Sequence, residues 1–179
     1  MCEHEQKGLT LWFTGLPCSG KSTIADRVAE RLKDRGYRVE RLDGDIVRQS
    51  LTRDLGFSKA DREENIRRVA FVAKLLTRND VFVLTSFVSP YREMREGARK
   101  EIGSFLEVYS KCPLEECMRR DVKGMYRKAM KGEIKEFTGV SDPYEEPVHP
   151  DLLLETDKEL PEQSAARVLT RMRELGYLE

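Results

Sequence analysis

Residues 15–22 read Gly15-Leu16-Pro17-Cys18-Ser19-Gly20-Lys21-Ser22. They put two glycines, a lysine and a hydroxyl at the G-x-x-x-x-G-K-[ST] spacing of a phosphate-binding loop, the P-loop. Glycine lets the backbone turn tightly enough for successive N–H groups to converge on phosphate oxygens. Lys21 has the reach for the β- and γ-phosphates of a nucleoside triphosphate, and Ser22 Oγ has the chemistry of a Mg²⁺ ligand. A helix starting here points its positive dipole end at the same anion. The run before it, Leu9 to Thr14, reads as a buried strand, the context that separates a phosphate cradle from a chance glycine turn.

A second group of polar residues lies downstream. Asp43-Gly44-Asp45 follows a short strand expected over Arg38 to Leu42, so a carboxylate falls at a strand end beside the transferring phosphate. Asp45 there can orient and deprotonate an attacking hydroxyl, and Asp43 can act through Mg²⁺-bound water. An aspartate in this place is also a good helix cap, and the two roles are compatible. Arg48 stands three residues after Asp45, and Asn65 three after Arg62, each pair on one helical face. Two such pairs suit an anionic acceptor, because guanidinium binds phosphate or sulfate with paired hydrogen bonds. The run Asp61 to Arg68 also fits a solvated charged helix, and spacing alone leaves both readings open.

The elements that must position these groups alternate strand and helix. Strands are expected at 9–14, 38–42, 81–85, 105–109 and 152–154. Helices are expected from Thr23 to about Arg35, after Asp45 through Leu51, from a Ser58 cap with Asp61 in a capping box to Thr77, and over 161–175; Pro90 opens another near its first turn, and Pro113 starts one more. Between Lys123 and Pro150, glycines and prolines break the pattern and basic residues crowd the first half. The expectation is one α/β domain spanning 1–179: a three-layer P-loop NTPase fold with a mostly parallel five-stranded sheet, helices on both faces, and a mobile lid over about 123–150. Ligands belong beyond the carboxyl ends of the strands, where the P-loop, Asp43–Asp45 and Ser86–Ser89 converge.

Composition narrows the partners. The 179 residues carry 32 basic and 32 acidic side chains, so no global field favours nucleic acid. The lysines of 123–135 have only Tyr126 interleaved, too few aromatics for single-strand binding. No apolar run reaches membrane-spanning length and the polar start is no signal peptide, so a cytoplasmic protein without a membrane partner is expected. The four cysteines form no C-x-x-C pair, and a disulfide framework is not expected. Cys2 and His4 are potential metal ligands on what reads as a frayed terminus. No N-K-x-D motif is present, which argues against a GTPase, and the chain is short for a motor or helicase. A small kinase with an acceptor pocket opposite the phosphate cradle is left. The rivals are a kinase for a nucleoside, sugar or antibiotic hydroxyl, and a non-catalytic nucleotide-sensing subunit.

From about Gly8 to Thr156 the chain resembles adenylylsulfate kinases (APS kinases). The resemblance is carried by Leu42-Asp-Gly-Asp45 with Val47-Arg48, Leu55-Gly-Phe-Ser58, Asp61 to Arg68, Thr85-Ser-Phe-Val-Ser-Pro-Tyr-Arg92, Arg120-Asp-Val-Lys-Gly-Met-Tyr126, Phe137-Thr-Gly139 and Asp142-Pro-Tyr-Glu145. It implies transfer of the ATP γ-phosphoryl group to the 3′-hydroxyl of adenosine 5′-phosphosulfate (APS), with Mg²⁺, giving 3′-phosphoadenosine 5′-phosphosulfate. It further implies that Asp45 faces that hydroxyl, that Lys21 and Ser89 complete the catalytic set, and that Arg48, Arg62 and Asn65 hold the phosphosulfate. Phe57 and Phe137 would sandwich the acceptor adenine, with Asp43, Val88, Ser89 and Lys123 lining the acceptor site. Gly15 to Thr23, Arg127 and Thr156 would hold ATP. A homodimer and functional pairing with ATP sulfurylase are implied by the same analogy. A phosphoserine at Ser89 is not required, since a positioned hydroxyl can attack ATP directly. Pro17, Cys18 and Glu136 depart from the family pattern. Pro17 lacks an N–H, and Cys18 reads as a small filler before a redox thiol.

Overall fold

The structure is a computed structural model that describes residues 6–179, so Cys2 and His4 lie outside the described residues. Five strands, β1 (Leu9–Thr14), β2 (Val39–Asp43), β3 (Phe82–Ser86), β4 (Phe105–Lys111) and β5 (Leu152–Glu155), form one sheet in the order β2-β3-β1-β4-β5. Every pairing is parallel, against the expected mostly parallel sheet. The seven helices among the described residues are α1 (Lys21–Asp34), α2 (Gly44–Val47), α3 (Lys59–Thr77), α4 (Arg92–Ile102), α5 (Leu114–Arg120), α6 (Met125–Met130) and α7 (Pro161–Glu174).

Side chains alternate across β1, and the two sheet faces read accordingly. Leu9, Leu11 and Phe13 pack with Ile24, Val28 and Leu32 of α1 and Val168 and Met172 of α7. Trp12 packs on the other face, with Val69 and Ala73 of α3 and Met94 and Ala98 of α4. A smaller cluster of Cys112, Cys117, Tyr126, Ala129 and Phe137 sits under the P-loop, against Leu16 and Cys18. β1 lies between β3 and β4; its own connection runs past β3 to β2, whereas the connection from β3 runs the other way, past β1 to β4. The crevice at that switch point is where open parallel sheets bind ligands. No helix among the described residues is long and apolar enough to cross a membrane.

Three expectations need correction. The helix expected through Leu51 ends at Val47, because residues 49–55 hydrogen-bond in i to i−3 turns such as Gln49 N–H to Ile46 O and Ser50 N–H to Val47 O. α4 starts at Arg92, with Tyr91 as its N-cap and Pro90 outside it. The region after Lys123 contains α6, a helix too short for its periodicity to register, entered through Gly124.

Candidate active site

Gly15 leaves β1 with φ +148°, and a Cβ there would meet Ser110 O at 2.4 Å. Gly20 has φ +90° and precedes α1 as its N-cap, with no side chain capping the helix. The N-terminal donors of α1 therefore point at the space an anion would fill. Lys21 is buried, and its Nζ donates to Gly15 O at 2.9 Å, Leu16 O at 2.7 Å and Ser19 Oγ at 3.4 Å. The ammonium is thus folded back on the loop whose phosphate it would serve. Cys18 is half-buried in left-handed backbone (φ +62°) against the cluster under the loop, and its carbonyl accepts from Arg120 Nη1. Tyr126 Oη donates to Pro17 O at 3.0 Å, tying α6 to the loop. Thr156 lies beside Gly20, and its carbonyl accepts from Arg120 Nη2 at 2.7 Å.

Burial lowers the Lys21 pKa from 10.5 to about 8. A bound triphosphate raises it again by charge attraction. Nucleotide binding at about pH 8–9 is therefore expected to take up a proton, visible as buffer-dependent binding heat, and Lys21→Met should abolish the uptake. Folding has the opposite sign, releasing a proton from Lys21 between about pH 8 and 10.5. The folded pKa lies below the unfolded one, so the buried charge weakens the fold below about pH 8, and that penalty fades as pH rises toward about 10.5.

Ser22 Oγ donates to Asp43 Oδ2 at 2.6 Å, and Asp43 Oδ1 accepts from Asp45 N–H at 3.0 Å as the cap of α2. Ser22 and Asp43 are hard oxygen ligands of the kind Mg²⁺ takes. No cluster of three or more His, Cys, Asp or Glu among the described residues could hold a metal alone, so this pair fits an ion that shares its shell with nucleotide phosphates. Asp45 is left exposed at the crevice mouth, where its carboxylate pairs with Lys123.

The acceptor residues fall into two sets. Arg48 Nη1 donates to Leu55 O and Gly56 O, and its guanidinium lies 4.4 Å from the Phe57 ring centroid. Arg62, at 5.9 Å from the same ring, donates to Phe57 O, Thr138 Oγ1 and Glu136 O. Burial and then the charge of Arg62 lower the Arg48 pKa, so two cations repel each other at a site with free N–H groups. Phe57 is 55% exposed beneath them, unlike the ordinary core residue its type suggests. Asn65 is buried one turn from Arg62, with its Oδ1 unpartnered. Phe137 is buried edge-on against Tyr126, on the segment that Arg62 clamps to Phe57. Arg127 is exposed on α6, where its N–H donates to Asp121.

Ser89 sits apart from this open face. It is 2% exposed with φ +42°; its Oγ accepts from Trp12 Nε1 and donates to Thr14 Oγ1, both at 3.1 Å. Val88 beside it is half-buried, its carbonyl held by Thr14 Oγ1 at 2.7 Å. A hydroxyl already used twice inside the core is a poor nucleophile. Ser89→Ala is expected to keep turnover within about tenfold while losing about 1–3 kcal/mol of stability, because Trp12 Nε1 loses its acceptor. Thermal melts beside turnover assays check both halves.

Sequence reasoning missed three contributors. Tyr126, Arg120 and Thr138 reach the site only through tertiary contacts, to Pro17, Cys18 and Arg62 respectively.

Comparison with known proteins places the chain in one family. A family model described as adenylylsulphate kinase matches residues 7–155. The adenylyl-sulfate kinase of Halothermothrix orenii is 62% identical over 175 residues, covering 98% of this chain and 95% of that protein. That of a Picosynechococcus species is 56% identical over 174 residues, covering 97% and 98%. The solved Mycobacterium tuberculosis APS kinase in complex with AMPPNP and APS superposes with a TM-score of 0.90 at 45% identity, covering 94% of this chain and 99% of that one. With the family model matched over residues 7–155 and relatives at 62% and 56% identity over nearly the whole chain, the chain belongs to the adenylylsulphate kinase family.

Proposed function

We propose that the chain transfers the γ-phosphoryl group of ATP to the 3′-hydroxyl of APS, yielding ADP and 3′-phosphoadenosine 5′-phosphosulfate. The observation that carries the acceptor's identity is the placement of two guanidinium groups, Arg48 and Arg62, 4.4 and 5.9 Å from the centroid of the exposed Phe57 ring. A nucleoside or sugar acceptor has no anion for two guanidinium groups, whereas a phosphosulfate does, and an adenine can stack on the ring.

The residue roles follow from position. The N–H groups of the P-loop and the first turn of α1 receive the ATP phosphates, while Thr156 and Arg127 flank the donor nucleotide. Lys21 leaves the Gly15 and Leu16 carbonyls to meet the β- and γ-oxygens. Ser22 and Asp43 would hold Mg²⁺, which would supply positive charge against the phosphates. Asp45 parts from Lys123 and takes the proton of the 3′-hydroxyl as its oxygen bonds to the γ-phosphorus and the bond to the β,γ-bridging oxygen breaks. Phe137 and Val88 bound the acceptor, Asn65 offers its unpartnered Oδ1 to a ligand donor, and Ser89 holds the loop from behind. The lid over 123–150, a homodimer and functional pairing with ATP sulfurylase belong to the same proposal, supported by family membership alone. ADP release measured with a panel of acceptors tests the reaction. APS should support turnover at least about 100-fold above nucleosides, sugars and AMP. Equal rates across the panel, or none with APS, would overturn it.

A further inference from the structure

Arg95 lies outside the crevice and is 3% exposed on α4. Its Nε donates to Glu107 Oε1 on β4 at 2.9 Å. Nη1 donates to Ser89 O at 2.6 Å, and Nη2 to Glu145 O at 2.6 Å. The guanidinium carbon lies 5.6 Å from the Tyr144 ring centroid. One rigid fork thus grips three places far apart in sequence: the middle of the sheet, the loop after β3, and the chain returning at 142–146.

Both loops it grips reach the acceptor. The first leaves β3 beside Asp43, since Asp43 and Ser86 are partners in the register and Phe87 packs at Gly44. It carries Val88 and the left-handed Ser89, a strained backbone that persists only where surrounding bonds over-determine it. The second carries Asp142, which accepts from Tyr91 Oη at 3.1 Å and lies 4.0 Å from Arg62. The two loops are also stitched to each other, by Glu145 N–H to Pro90 O and Arg92 N–H to Glu145 Oε2, and both bond to Thr14 at the end of β1, through Tyr144 Oη and Val88 O. Arg95 takes a carbonyl from each.

We propose that Arg95 is a positioning residue that locks the Val88–Ser89 loop to the 142–146 strap and thereby fixes the acceptor side of the crevice, leaving the donor side untouched. This rests on the assignment of that side to APS. The P-loop, Lys21 and Thr156 receive none of its bonds, so its effect separates the two substrates. Glu107, whose carboxyl is pushed up by burial and pulled back by Arg95 and Arg99, keeps the fork oriented.

Two variants separate positioning from bulk stability. Arg95→Lys keeps a cation for Glu107 but cannot reach both carbonyls. Arg95→Met with Glu107→Gln removes the fork without stranding a buried carboxylate. In both, KM for APS should rise by about tenfold or more with lowered kcat, while KM for ATP and nucleotide affinity by calorimetry stay within about twofold. Melting curves run beside the kinetics report stability. Parameters for both substrates that move together, or APS kinetics unchanged in a less stable protein, would overturn the proposal. Wild-type protein without APS-dependent ADP release would instead overturn the functional assignment on which it rests.

Discussion

Replacing Asp45 by asparagine should lower turnover by about 10²–10⁴-fold, the usual contribution of a positioned general base. ATP affinity should stay within about twofold, because Asp45 makes no bond to the P-loop. Asparagine keeps the volume and hydrogen-bonding shape and removes only basicity and charge. The fold does not use the Asp45 carboxylate: the cap of α2 is Asp43, and Asp45 contributes its backbone N–H. Its only ion pair among the described residues is the exposed one to Lys123, and such pairs are worth about 0–1 kcal/mol. Stability should therefore change by less than about 1 kcal/mol, and the loss of rate can be read as chemistry. Single-turnover rates at saturating APS and ATP are the measurement. A variant that keeps turnover within about tenfold would assign the proton to another acceptor. Asp43→Asn is a contrasting control, since it disturbs both the Ser22 bond and the cap.

The parts of this site that were legible in the sequence are those set by neighbours in the chain. The P-loop pattern works because its geometry is local, and the Ser58 cap is confirmed by Asp61 N–H donating to Ser58 Oγ at 3.2 Å. Its capping box takes a variant form, in which the Asp61 carboxylate accepts from the Ser58 hydroxyl. α6 escaped because six residues give no periodicity, and because its anchor is Tyr126 bonding to a loop 109 positions away. Phe57 reads as core by type, yet the fold brings two guanidinium groups over it and leaves it open to solvent. Ser89 was grouped with Lys21 and Asp45 by resemblance. Its partners, Trp12 and Thr14, lie 77 and 75 positions earlier, a tertiary fact that no motif encodes.

The run Asp61 to Arg68 fits either an anion grip or a solvated face, and the fold divides it between the two. Arg67 and Arg68 both pair with Glu64, and Arg68 also with Asp54, at the surface. Arg62 turns inward and spends three bonds on Phe57 O, Thr138 Oγ1 and Glu136 O. A guanidinium has five N–H donors, so two remain for a ligand oxygen while the loops stay clamped. Arg62→Leu should therefore raise KM for APS by about 10–150-fold, the equivalent of about 1.5–3 kcal/mol for a hydrogen bond to a charged group. Arg62→Lys should recover little of this, because an ammonium cannot span Phe57 O and Thr138 Oγ1 and still face the anion. Arg67→Ala, on the same helix but among solvated charges, should leave APS kinetics within about twofold. Steady-state kinetics of the three proteins at one ionic strength checks the set. Equal losses in Arg62→Leu and Arg67→Ala would mean that the helix acts only as a diffuse positive face. A loss confined to Arg62 requires a directed contact, since screening treats two cations five residues apart alike and a hydrogen bond does not.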